Sequence, residues 1–103
     1  MAKRSYALSQ KLKDKNHFVL ADQIARSSIS IPSNIAEGCS RTSEKEYNRF
    51  LEISIGSAFE LETQLYIAED FSEKELIGEL TNSALEVQRM INGLIQSLKK
   101  SRG

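Results

Sequence analysis

Residues 27–36 read Ser-Ser-Ile-Ser-Ile-Pro-Ser-Asn-Ile-Ala, ten residues without a charge, and Glu37-Gly38 follow at once. Pro32, the only proline of the chain, stands in the middle of a stretch whose apolar spacing is otherwise helical. Proline inside a helix costs about 3 kcal/mol, because it removes one backbone hydrogen bond and crowds the preceding turn. A helix that keeps it needs packing around it. Almost three turns without a charge are also not a solvated face, so this segment predicts a helix buried on more than one side.

The remaining sequence supports an all-α chain. Its 103 residues suit one domain with a single core. Lysine plus arginine equals aspartate plus glutamate, 14 each, so no global charge draws the chain to nucleic acid or acidic membranes. One cysteine excludes an internal disulfide framework, and one histidine excludes a multi-histidine metal centre. No apolar run approaches membrane-spanning length, and no secretory signal opens the chain, so a cytoplasmic setting is expected.

Two Ser-x-x-Glu boxes, Ser43–Glu46 and Ser72–Glu75, precede apolar periodic runs and mark helix starts. Helices are expected at about 3–13, 18–37, 44–69 and 73–99, with Gly38 as the left-handed stop of the second. The last carries a seam of Ile77, Leu80, Ala84, Val87, Ile91, Leu94 and Leu98. The third carries Tyr47, Leu51, Ser54, Ala58, Leu61, Leu65 and Ala68, with further apolar residues off that seam. The first helix offers Tyr6, Leu8 and Leu12. Short connections predict an antiparallel up-down-up-down four-helix bundle.

Opposite its core stripe, the second helix presents Gln23, Ser27, Ser30, Asn34 and Glu37, continuing to Arg41 if the helix extends that far. This face is poor in charge. It reads either as a surface face or as a protein contact, within the bundle or between subunits. Ser27, Ser28 and Ser30 are candidates to cover backbone groups loosened by Pro32. Residues 53–59 of the third helix are also uncharged, with Gly56-Ser57-Ala58 a small patch. Turning the two helices back at about residue 42 sets Ser30 level with Ser54, and Arg26 with Glu60 as its candidate partner. Glu62 falls on the apolar side and needs a partner or a solvent edge. The expected assembly or helix-contact residues are Ser30, Pro32, Asn34, Glu37, Gly56, Ser57, Glu60 and Glu62.

The string Ser30-Ile31-Pro32-Ser33-Asn34-Ile35-Ala36-Glu37-Gly38, with Asp22–Arg26 before it and Gly56–Leu65 after it, resembles the four-helix-bundle family of proteins encoded by 23S rRNA intervening sequences, once labelled ribosomal proteins. The resemblance is close over about residues 18–68 and extends to the last helix by pattern. It implies bacterial origin and a ring-shaped homopentamer. A related accessory protein of diversity-generating retroelements binds nucleic acid and a reverse transcriptase. The resemblance implies no enzymatic activity. The chain departs from the family in a short first helix, in Ile55 where an arginine is common, and in its neutral charge.

No catalytic constellation is present in the sequence. His17 lacks the Glu-x-x-His context of a di-iron bundle and reads as a solvated loop residue. Cys39 lacks an activating base and reads as unreactive. Neither a cofactor nor a metal is expected. One opening for nucleic acid is the bundle end expected to gather Lys3, Arg4, Arg41, Lys45, Arg49, Lys99, Lys100 and Arg102 against three glutamates. Of these, Arg41, Lys45, Arg49, Lys99 and Lys100 are the candidate contacts for RNA or DNA. Two readings result: a non-enzymatic, self-assembling bundle, or a nucleic-acid-binding accessory protein.

Overall fold

The computed structural model describes residues 1–102, with the side chains of residues 1–100. Four helices follow one another: α1 (Ala2–Asp14), α2 (Phe18–Cys39), α3 (Glu44–Ala68) and α4 (Lys74–Arg102), with a 3₁₀ turn over Glu69–Phe71. They form an all-α four-helix bundle about 48 Å long. Helix α1 packs on α2, α2 on α3 and α3 on α4. The core runs from Leu8 and Leu12 through Ile24, Ile31, Leu51, Leu61 and Leu65 to Leu80 and Ile91.

Helix ends differ instructively from expectation. The Ser43 hydroxyl accepts from the Glu46 amide at 3.0 Å, the bond its box predicts. At α4 the first helical bond runs from the Ile77 amide to the Glu73 carbonyl. The cap therefore falls on Glu73, one residue past Ser72, and no Ser72 hydroxyl bond forms among the described residues. Gly38 does not stop α2 in a left-handed conformation; it stays helical, and the chain turns after Cys39. The left-handed residue is Asn16, at φ 70°. It closes α1 with two bonds, from the His17 amide to Leu12 and from the Asn16 amide to Lys13, which satisfy carbonyls the helix leaves free.

The α3 seam is buried from Leu51 to Ala68, with Tyr47 half-buried at its start. The α4 seam drifts. Leu94 is 42% exposed, and Ile95 is buried in its place. Gln88 is buried too, so the inward residues step 77, 80, 84, 88, 91, 95. A strict heptad alternation lags a 3.6-residue helix, and a long straight helix shows the difference. Tyr6, expected in the core, is 44% exposed, whereas Ser5 and Ser9 of α1 are buried. His17 is not a solvated loop residue: its ring is half-buried and stacks on Phe71 at 4.2 Å between centroids.

Candidate interaction surfaces

The polar stripe of α2 meets α3 within the same chain. The Ser57 hydroxyl bonds the Ile53 carbonyl of its own helix at 3.2 Å, leaving its oxygen to accept. Ser30 therefore donates to Ser57 across the helix pair at 2.7 Å. The Ser30 oxygen in turn accepts from the Asn34 amide at 2.9 Å, and Asn34 also donates to the Ser30 carbonyl at 2.8 Å. Three side chains thus form one directed chain of donors. One position along, the fully buried Ser54 hydroxyl donates to the Ile31 carbonyl of α2 at 2.8 Å. Small side chains let the helices approach closely enough for these bonds. The register is close to the expected one, with Ser54 beside Ile31, but the Ser30 hydroxyl bonds Ser57 one turn further along α3.

Pro32 lies on the opposite side, toward α1, where its ring borders Ala2, Tyr6 and Ile29. The Ser28 hydroxyl donates to Ile24, four residues back, so it does not cover the carbonyl that Pro32 leaves free. Gly38 serves close approach. A Cβ there would stand 2.9 Å from the Tyr47 ring and 3.1 Å from Phe50 Cβ. Burial first, and the neighbouring Cys39 thiol second, raise the Tyr47 phenol above its ordinary pKa. Cys39 itself is free and exposed.

The two glutamates of α3 separate. Glu62 is half-buried and accepts from Gln88 of α4 at 2.8 Å, while the same Gln88 amide reaches the Ala58 carbonyl at 3.4 Å. Gln88 is the partner Glu62 required, and the drift of the α4 seam is the signal that would have found it. Glu60 is exposed and does not meet Arg26, which pairs instead with Asp22 four residues before it.

The expected basic end is smaller than the sequence suggested. Helix α1 is short, so its start lies partway along the bundle: Arg4 pairs with Glu79, and Lys3 borders Ile29 and Pro32. Neither reaches the turn after α2. Arg41 is already engaged, paired with Glu37 and placed over the Phe50 ring at 5.1 Å. Lys45 and Arg49 share an open groove on the first turns of α3 with Glu46 and Glu52. Lys99 and Lys100 are exposed near the end of α4, and among the described residues no bond ties them to that groove. The Arg102 side chain lies outside the described residues.

Several large apolar side chains remain on the surface after the helices have packed. Ile53, Phe59, Tyr66 and Ile67 of α3 are 42–75% exposed, as are Met90 and Leu94 of α4. At Gly56, also on α3, no side chain or neighbouring element among the described residues comes within 4 Å of where a Cβ would stand. Among the described residues no three histidine, cysteine, aspartate or glutamate side chains gather as a metal site, and no helix is long and apolar enough to cross a membrane.

Residues 1–93 match the family of 23S rRNA-intervening sequence proteins. The crystal structure of a protein of unknown function from the S23 ribosomal protein family of Bacteroides thetaiotaomicron superimposes with a TM-score of 0.86. The two share 27% identity over 91% of this chain and 90% of that one. No curated protein matches the sequence.

Proposed function

This chain belongs to the 23S rRNA-intervening sequence protein family, and we propose that it is a self-assembling cytoplasmic bundle without catalytic chemistry of its own, built into a homopentamer. The observation that carries this reading is the outer surface of α3. That helix already buries one side against α2 and α4, yet it leaves Ile53, Phe59, Tyr66 and Ile67 in water. Apolar surface of this kind on a small protein marks a contact face. The polar stripe of α2 no longer motivates assembly, since its hydrogen bonds close within the chain. Native mass spectrometry at micromolar concentration tests the proposal. The expected species is about 58 kDa, five copies of an 11.6 kDa chain; a monomer alone overturns it.

A second reading rests on Lys45 and Arg49, which have no ion-pair partner among the described residues and line an open groove beside Glu46 and Glu52. Repeated around a ring, they would form a cationic surface for RNA or DNA phosphates. RNA retention at about 50 mM salt, lost on adding salt and on Lys45→Ala with Arg49→Ala, is the expected result. Retention unchanged by both substitutions removes this reading.

A further inference from the structure

Helix α1 has 13 residues and α4 has 29, or about 20 Å against 43 Å at 1.5 Å per residue. Arg4 meets Glu79, and Lys15, just past the end of α1, bonds the Phe71 carbonyl. Helix α1 therefore covers only the first turns of α4. The side of α4 that carries Leu76 and Glu79 continues at helical spacing through Ser83, Val87, Met90 and Leu94. There Met90 is 70% exposed and Leu94 42%. The matching side of α2 continues from Ile29 and Pro32 to Ala36, which is also exposed. At the foot of this seat a mostly apolar groove of about 390 Å³ opens against the start of α1, with Lys3 on its rim.

We infer that this seat receives the outer stripe of α3 from a second copy of the chain. The inference rests on the self-assembly reading and assigns the two faces that meet. The stripe comprises Ile53, Gly56, Glu60 and Ile67, which share one side of α3 at helical spacing. Glycine in a helix interior costs about 1 kcal/mol relative to alanine. No side chain or other element among the described residues touches the position where Gly56 lacks a Cβ. An approaching helix backbone would account for it. Gly93, beside Met90 and Leu94 on α4, is equally open. The charges are complementary: Glu60 is the sole ionised group among these stripe residues, Lys3 lies on the rim of the seat, and neither has an ion-pair partner among the described residues. The seat also lies in line with α1, which packs on α2 and meets α4 through the Arg4–Glu79 pair. Stripe and seat are different surfaces, so the contact is head-to-tail and can close a ring.

The experiment uses two variants, Ile53→Glu on the stripe and Leu94→Glu on the seat, both at exposed positions, with helicity checked by circular dichroism. Each variant alone is expected to be monomeric by native mass spectrometry. A 1:1 mixture should form a dimer, because one copy keeps an intact seat and the other an intact stripe. Lys3→Glu and Glu60→Lys should each weaken wild-type assembly about tenfold, and the double exchange should restore most of it. If the wild type is an oligomer and both glutamate variants keep that state, this inference is overturned while self-assembly stands, and the seat belongs to another polypeptide. A folded pair that stays monomeric on mixing also overturns it. A monomeric wild type removes both.

Discussion

Gly38 and Gly56 are both helical glycines, and their surroundings are opposite. Gly38 is pressed from within: the Tyr47 ring and Phe50 occupy the space a side chain would need. At Gly56 no other described side chain or element lies within 4 Å of where a Cβ would stand. The first glycine is explained by the fold of one chain. The second has a cost without a return among the described residues, and the proposed assembly would supply one. The contrast separates residues that build the bundle from residues available to assemble it.

The largest expected effect tests the first half of that contrast. Gly38→Leu forces a branched side chain against Tyr47 and Phe50 and should destabilise the protein by about 3 kcal/mol, measured by urea unfolding. An effect near zero would mean that α2 and α3 part easily, and that Gly38 is no more constrained than Gly56. Next in size is Ser54→Ala. It removes a buried hydroxyl that ties α3 to the Ile31 carbonyl, and about 1–2 kcal/mol should be lost. Asn34→Ala should cost less, about 1 kcal/mol, because Asn34 is half-buried and both its bonds go to Ser30 of its own helix.

Much of the bundle was legible from local chemistry. The Ser43 box and the period of α3 are signals carried by neighbouring residues, and each maps onto an element of the fold. The uncharged run around Pro32 falls in α2 as expected, but Ile29, Pro32, Ser33 and Ala36 are exposed, so within this chain it is buried on one side only. What failed was knowledge of how far one helix reaches along another. The basic end sets the start of α1 level with the turn after α2, although the expected helix, about 3–13, is already short; a helix of that length starts at mid-bundle and leaves Arg4 beside Glu79. The Leu94 reading assumed a strict heptad, and accumulated drift turned Ile95 inward instead. Ser30 is expected level with Ser54, and Ser54 does bond the adjacent Ile31 carbonyl; the Ser30 hydroxyl itself reaches Ser57, one turn on along the same face of α3. Of the candidate contacts, Glu62 was legible as a group needing a partner, whereas the partner, Gln88, depended on the same drift.

Gly56→Ala carries the contrast in both directions. In the isolated chain the alanine methyl meets open space, so helix propensity alone acts, and stability should rise by about 0.5–1 kcal/mol. In the assembled protein the same methyl enters the proposed contact and should weaken association. Unfolding of a monomeric Leu94→Glu background and dilution of the wild-type background read the two effects separately. Stabilisation in both would place Gly56 on a surface that nothing covers.

The smallest effect concerns the ring over Gly38. Tyr47 has a raised pKa, with burial as the leading cause and Cys39 beside it. The folded state therefore holds the phenolic proton more tightly than the unfolded chain, whose tyrosines ionise near pH 10. The stabilisation from the neutral phenol is complete below about pH 10 and is lost as pH rises from there through the folded pKa. Tyr47→Phe keeps the ring that packs on Gly38 but has no proton to lose. Urea midpoints at about pH 9 and 11 should fall more in the wild type than in Tyr47→Phe. Cys39→Ser should remove the smaller part of that difference, because the thiol is the secondary cause. Equal declines in wild type and Tyr47→Phe would mean that the phenol titrates as freely as one in water. The close packing against Gly38 would then involve the ring face alone, leaving the hydroxyl outside the contact.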